Sequence, residues 1–449
     1  MSSGTADTAT RAGNITKFTV GGSPDFSPVA QIISYYEDVT KPSIKVQVTI
    51  EETGLTDNGP LGVLDSLPIR GGEEVILEIE DNQSKPNKLS FKKGKSLYVN
   101  TVSGVDPGTQ KEIYSMEFRP KEFLSNDLTR VVKRYNGRID SSVVAILKEN
   151  LGVEEKDIEK DVTAVPYNFI GNDKKPFYIC TWLASKAIPA MMVDGKSTIG
   201  GAAGYFFFQT YDGYKFRSID KILEKNPKVP IKKYILTGKS DNPPPGYTGK
   251  ILKASIDRYI DLGNNLNMGI YANRSIFFDY YGMGYKVRDY NVDKNQKNKV
   301  RNAGKDELGE QIVEQFRKGP SRLMSHILDF GALPAGRTPK EQLKKWKEHP
   351  DDPNYDAPNT MVQSLMRYNQ LFTIKTDVMI AGDFSLRAGQ LIYCDFPELT
   401  VDHNKEVNKE TGGIYMIASL CHRLTRGDCY TSLTLVRDTF GRIPFKETT

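Results

Sequence analysis

"RGGEEVILEIED" (Arg70–Asp81) and "RAGQLIYCDFPE" (Arg387–Glu398) decide how this sequence is read. Each places a glycine just before a run in which every second residue is apolar, the period of a half-buried β-strand. Aligning Gly72 with Gly389, an offset of 317 residues, carries Val75, Leu77 and Ile79 onto Ile392, Cys394 and Phe396. The same offset carries Tyr98 of "SLYVNTV" onto Tyr415 of "GIYMIAS" and Phe118 onto Leu435, while Tyr114 of "YSMEFR" meets Tyr430 at 316. Three β-segments thus recur in one order at nearly constant spacing. They point to two copies of one β-domain at opposite ends of the chain.

Working outward, 449 residues exceed what one compact core serves, so roughly two to four domains are expected. The 23 Tyr and 20 Phe beside 38 Gly and 24 Pro suit β-structure with many turns. From Phe18 to Phe118 the chain reads as strands, with Ile44, Val46, Val48 and Ile50 sharing a face. Asn58-Gly59-Pro60, Gly71-Gly72 and Asp106-Pro107-Gly108 supply turns.

Helices follow. Ser125-Asn126-Asp127 is expected to cap a run through Val131, Val132 and Tyr135, and Asp140 to cap one with Val143, Ile146, Leu147 and Leu151. Pro176 opens a third, and "GYFFFQTYDGYKF" from Gly204 reads as an aromatic hairpin turning at Asp212-Gly213. "KSDNPPPGYTGK" (Lys239–Lys250) is a loop, and strands resume at Gly269. Residues 305–368 read as helical, with a stop at Gly319-Pro320, a capping box at Thr338 and a last cap at Asn359. The fold class is mainly β with α insertions (α+β).

The mean hydropathy is −0.47 and no apolar run is long enough for a transmembrane helix. The polar start lacks the apolar core of a secretory signal and reads as a flexible arm. Four cysteines (Cys180, Cys394, Cys421, Cys429) suggest no disulfide framework and fit a reducing cytosol. A net charge of +5 is weak for bulk nucleic-acid binding.

Four stretches carry a family resemblance: "EFLSNDLTRVVKRYNGRIDSSVVAILKENLGV" (Glu122–Val153), "KPFYICTWLASKAIP" with "GYFFFQTYDGYKFRSID", "GDFSLRAGQLIYCDFP", and "GGIYMIASLCHRLTRGDCYTSLTLVRD". In order and spacing the chain resembles the baseplate hub protein of contractile-tailed phages, related to type VI secretion spike hubs. The resemblance implies two tail-tube-type antiparallel β-barrels plus helical segments. It divides the chain into a first barrel (1–121, completed by about 217–292), helices and hairpin of the second barrel domain (122–216), a helical insert (293–359) and the second barrel (360–449). It further implies a homotrimer adapting a sixfold tube to a threefold spike. The implied partners are the tail tube or tube-initiator protein, the spike or tail lysozyme protein and the baseplate wedge proteins, with genomic DNA passing through the lumen without specific binding. The implied location is the virion tail baseplate, assembled in the host cytoplasm. Phe206, Phe207, Phe208, Tyr211, Tyr214 and Phe216 of the hairpin are candidates for an apolar interface, or for packing inside their own domain.

The residues offer little chemistry. Cys421 and His422 are strand neighbours pointing to opposite faces, and Cys429 with His422 leaves two ligands where structural zinc needs four. No metal or cofactor is expected. Arg426-Gly427-Asp428 reads as a hairpin turn, with glycine supplying a positive φ. Glu73 and Glu74 diverge on a strand, Glu307 and Glu310 lie on a charged helix, and no nucleophile or metalloprotease motif occurs. An enzyme is not expected. The alternatives are a cell-wall hydrolase of the tail tip or a receptor- or glycan-binding tail protein, which Tyr280-Tyr281 would serve.

Overall fold

Val46, Val48 and Ile50 alternate with half-exposed neighbours along one strand, and all three are fully buried. The period of two thus buries one face of the strand. The computed structural model describes residues 13–22, 25–53, 69–83, 85–108, 111–193, 196–224, 231–236, 249–258, 261–279, 284–291, 314–327, 357–398, 407–439 and 441.

The chain opens with β1 (Asn14–Val20), β2 (Ala30–Asp38), β3 (Lys45–Glu52), β4 (Glu74–Glu80), β5 (Lys88–Phe91), β6 (Leu97–Pro107) and β7 (Glu112–Pro120). Next come α1 (Lys121–Leu128), β8 (Arg134–Tyr135), α2 (Ile139–Leu151), β9 (Ile158–Lys160), β10 (Phe169–Ile170) and α3 (Pro176–Ala184). Two hairpins, β11 (Ala190–Val193) with β12 (Lys196–Ile199) and β13 (Tyr205–Thr210) with β14 (Gly213–Ser218), precede α4 (Ile219–Leu223). Then follow β15 (Lys232–Leu236), β16 (Lys250–Arg258), α5 (Leu262–Asn267), β17 (Ala272–Asp279), β18 (Gly284–Asn291), α6 (Glu314–Lys318) and β19 (Arg322–Ile327). The chain closes with α7 (Ala357–Leu371), β20 (Ile374–Ala381), β21 (Leu391–Asp395), β22 (Gly413–Thr425) and β23 (Cys429–Arg437).

The first six-stranded unit runs β1-β4-β6-β7-β3-β2, rolled around Phe18, Val48, Leu77 and Phe118. The second runs β22-β21-β15-β16-β20-β23 and closes as β23 pairs back with β22. The first barrel was expected to be completed by residues 217–292, and here the structure differs. Its described strands all end by Pro120, and β15 and β16 belong to the second barrel instead. A parallel pairing of β15 with β21 brings them there.

The duplication holds pair by pair. Val75 faces Leu97, Val99 faces Phe118, and Phe118 faces Val46, which faces Tyr35. In the second unit Ile392 faces Tyr415, Ile417 faces Leu435, and Leu435 faces Thr376, which faces Ile256. Two irregularities match as well, Ala30/Ile32 with Ile251/Lys253 and Val99/Thr101 with Ile417/Ser419, whereas those at Ser103/Asp106 and Ile15/Lys17 have no counterpart. The alignment of Tyr98 with Tyr415 is one residue out. Leu97 is the counterpart of Tyr415, an offset of 318, because both face the barrel interior while Tyr98 is half-exposed. A one-residue slip would turn every side chain of the strand over.

Residues 121–218 form a separate core of Val143, Leu147, Phe169, Leu183 and Phe207. Ser125-Asn126-Asp127 lies inside α1 rather than capping a later helix, and Val131 and Tyr135 are extended. Asn126 Oδ1 instead accepts the Phe177 N–H at 2.9 Å, capping α3 from a distance. Asp140 sits in the first turn of α2 and accepts the Thr163 hydroxyl at 2.8 Å, while Arg138 holds the cap position. Gly152 ends α2 at φ 71°, as a left-handed cap requires. The insert is not wholly helical: β19 pairs in parallel with β17, which carries β18 on its other edge. Helix α7 begins two residues before the expected cap at Asn359. Residues 14–18 of the polar start belong to strand β1 rather than to a flexible arm, while residues 1–12, Asn58-Gly59-Pro60, most of the Lys239–Lys250 loop, Tyr280-Tyr281, Glu307, Glu310 and the Thr338 capping box lie outside the described residues.

Candidate functional site

Strand β22 is thirteen residues long and serves two barrels. Its first residues pair with β21, closing the second barrel. After the bulge at Ile417/Ser419, the same edge takes β2 of the first barrel, from Asp38 opposite Ser419 to Ile32 opposite Thr425. A bulge adds twist and bends a strand, so the outer half of β22 can leave one barrel for the next. The two barrels are therefore one continuous sheet.

At the seam, Tyr35 faces His422, and the rings stack 5.8 Å apart at 7°. His422 is fully buried, its Nδ1 2.9 Å from the Thr431 hydroxyl and its Nε2 3.3 Å from the Leu386 carbonyl. Only a neutral ring satisfies both, with Nε2–H donating to the carbonyl and Nδ1 accepting from the hydroxyl. Burial, helped by the Arg387 charge, pushes its pKa down to about 3. Both nitrogens are thus occupied. Cys421 lies opposite Ser432 on the other face, and Cys429 lies opposite Leu424. Among the described residues no three His, Cys, Asp or Glu side chains come together as a metal site. The Arg426-Gly427 turn is closed by the Thr425 N–H donating to the Asp428 carbonyl at 2.8 Å, and Arg426 reaches the Pro28 carbonyl at 2.6 Å. Gly427 does not take the positive φ expected of it.

The aromatic hairpin braces this seam from behind. Every residue of β13 is buried, because its two faces pack into different cores. Phe206 and Phe208 join Val39, Leu371, Ala388, Met416 and Val436. Phe207, Tyr214 and Phe216 enter the helical core. These five side chains are buried within the chain, so of the two roles open to them the described residues support packing, as an internal wedge. Tyr211, half-buried at the tip, is the remaining one. Its N–H donates to Glu37 Oε1 at 2.8 Å and its hydroxyl accepts the Ser90 N–H at 3.1 Å. Its ring packs edge-on against Phe91 and lies 4.9 Å from the Arg387 guanidinium.

Glu37 and Arg387 are the residues that sequence reading missed. Glu37 is buried at 1% exposure, accepting the Tyr35 hydroxyl at 2.6 Å and the Ala388 N–H at 2.7 Å. Burial raises its pKa against the opposing pull of Arg387 and these donors. Arg387 bonds the Phe384 and Leu386 carbonyls and reaches Asp212 at 3.2 Å. One buried acid inside the apolar strand "AQIISYYED" was the available signal. Behind the wedge, Arg367 of α7 pairs with Asp438 at 2.5 Å and Asp220 at 3.4 Å.

The opposite, polar face of the joined sheet forms a groove of about 750 Å³ lined by Asp38, Lys45, Arg119, Lys253, Asp377 and Cys421 among others. Its charges are mixed, with Asp38 and Asp377 beside Lys45, Arg119 and Lys253. Glu73 and Glu74 also part company: the first accepts the Arg70 and Gly71 N–H groups at 2.7 and 3.0 Å, the second the Ser96 hydroxyl.

With this geometry in hand, the fold has clear likenesses. A tail protein from Neisseria meningitidis MC58 matches over 96% of both chains at 10% identity, with a TM-score of 0.51. The 43 kDa tail protein of prophage MuSo2 from Shewanella oneidensis matches over 96% of this chain and 100% of its own, at 9% identity and a TM-score of 0.53. At such identities the fold is what is shared with these two tail proteins. No protein-family model matches the chain, and no curated protein matches it in sequence.

Proposed function

We propose that the chain is the central structural hub of a contractile phage tail baseplate, acting as a trimer that joins the sixfold tail tube to the threefold spike. The observation that carries this is the seam. Two barrels of one topology, fused edge to edge in a single sheet, are one third of a pseudo-sixfold ring. Three copies supply six barrels around an axis, and such symmetry rests on matched surfaces rather than catalytic groups. The likeness to tail proteins supports the same reading.

In this reading the tube or its initiator stacks on the six-barrel side, and the spike and wedge proteins take the other sides. The mixed-charge groove would suit a conduit wall that lets DNA pass without gripping it. The protein acts in the virion tail, after assembly in the host cytoplasm, and carries no catalysis of its own. Sedimentation of the purified chain at high concentration, with and without tube and spike subunits, tests it. A trimer that binds both is expected. A strictly monomeric chain that clears peptidoglycan or binds only a glycan would overturn it.

A further inference from the structure

In the helical domain, residues 126–132 and 170–178 run side by side and are tied at three places. Asn126 Oδ1 accepts the Phe177 N–H at 2.9 Å, Lys175 reaches Asp127 at 2.7 Å, and the Val131 N–H donates to the Lys174 carbonyl at 3.0 Å. Between β10 and α3 the chain turns at Asn172 and Asp173, both left-handed at φ 55° and 57°, and the Lys174 N–H donates to the Gly171 carbonyl at 3.1 Å. Asn and Asp tolerate such a tight turn. Gly171 is required beside it, because a Cβ there would fall 2.2 Å from the Val131 carbonyl oxygen. The surface is thus set in advance, and a preorganised surface loses little freedom on binding.

What this surface presents is apolar. Val131, Tyr135 and Phe169 point into the helical core, so Val132 and Ile170 point out, with Arg134 opposite Ile170 across the β8–β10 ladder. Val132 is 70% exposed, Ile170 51%, Tyr178 56%, and Leu128, the last residue of α1, 89%. Tyr178 joins this strip through Lys174, whose ammonium lies 5.9 Å from its ring. Single exposed hydrophobics are ordinary, whereas four along one strip mark a contact surface. The charges are set apart as well. Elsewhere in the domain cations meet carboxylates, Lys133 with Glu149 at 3.0 Å, Lys148 with Glu155 at 3.0 Å and Arg138 with Asp140 at 3.4 Å. On the strip Arg130 donates to the Asp127 and Thr129 carbonyls and Arg134 to the Asn136 side chain. Among the described residues no carboxylate pairs with Arg130, Arg134 or Lys174, and all three are exposed.

We infer that this strip is a docking surface for an acidic amphipathic helix of another protein. The helix sets its apolar stripe on Leu128, Val132, Ile170 and Tyr178 and its carboxylates on Arg130, Arg134 and Lys174. Charge decides the sign of the partner, since three cations without acids attract Asp and Glu and repel a basic segment. Side-chain type agrees, because Tyr and Arg carry much of the energy of protein interfaces. A helix meets both demands at once, offering one apolar stripe at i, i+3, i+4 and i+7 with acids along its margins. A second copy in a twofold contact is disfavoured, because the same face on both sides would set cation against cation. The strip belongs to the helical domain and to neither barrel, so the inference is independent of the hub reading.

Fluorescence anisotropy on the full chain tests it, with a fluorescein-labelled amphipathic helical peptide of Leu and Glu as the probe. This peptide should bind, and its counterpart of Leu and Lys should not. The paired variants Leu128→Ser/Val132→Ser and Arg130→Glu/Arg134→Glu should each weaken binding about tenfold or more. Lys111→Glu, a charge reversal at an exposed lysine just before β7, should leave it as it was. The substituted side chains are all exposed, so each variant should unfold in denaturant as the wild type does. Equal binding of the two peptides, or binding that ignores both paired variants, overturns the inference. A labelled single-stranded oligonucleotide separates the sources of negative charge. If it binds, and loses binding with the arginine pair but not with the apolar pair, a nucleic acid replaces the protein partner. If Leu128→Ser/Val132→Ser lowers the sedimenting mass of the chain, the strip is a contact between copies and the inference falls, with the hub reading left standing.

Discussion

The two barrels share strand order, core positions and two bulges, yet they are finished differently. The second closes on itself through β15, whereas no ladder joins β1 to β2 among the described residues of the first. A short loop joins β2 to β3, whereas more than a hundred residues separate β16 from β20 and carry a third small sheet. Shared between the copies are the interior pairs that fill each barrel, whereas the seam residues differ, Tyr35 and Glu37 of β2 corresponding to Ile256 and Arg258 of β16.

The strongest way to break this relation is to remove the wedge that holds both copies. Phe208→Ala empties a site between Val39 of the first barrel and Met416 of the second, and should cost about 3–5 kcal/mol in denaturant unfolding. A loss below about 1 kcal/mol would mean the hairpin is peripheral. Glu37→Ala, which leaves two backbone N–H groups and the Tyr35 hydroxyl without their acceptor and removes the buried charge near Arg387, should cost about 3 kcal/mol, with the barrels then losing protection from hydrogen exchange separately. Loss of protection in one step would show that the knot does not couple them.

The pH dependence sharpens the same point. The folded-state pKa of His422 lies below its unfolded value of 6.5, so the unfolded chain takes up the proton first. Stability is then full above about pH 6.5 and falls as pH drops toward 3, by at most about 1.4 kcal/mol per unit. Comparing wild type with His422→Phe between pH 6.5 and 5 removes the opposing slope of Glu37, and the variant should be the flatter of the two. Equal slopes would place the seam histidine in water. The smallest effect is expected at the turn: Asp428→Glu should change stability by no more than about 0.5 kcal/mol in denaturant unfolding.

Much of this was legible. Strand periodicity gave both copies and their spacing, because one buried face prints itself on every second residue. The exact register was not, since two matching tyrosines outweighed the faces they occupy. The ownership of β15 and β16 was hidden because β16 lies far in sequence from β20, and parallel pairing leaves no hairpin signal. Aromatic density marked the hairpin as buried without saying against what. Glu37, Arg387 and Arg367 join segments that are neighbours only after folding, and apart from the place of Glu37 in an apolar strand nothing local announces it.

The central claim is that two fused barrels are a third of a ring. Electron-microscope class averages of the purified chain, viewed along the assembly axis, test this most directly. The account predicts a closed ring of six similar lobes around an open centre, whereas isolated two-lobed particles at every concentration, or a ring of three lobes, would contradict it.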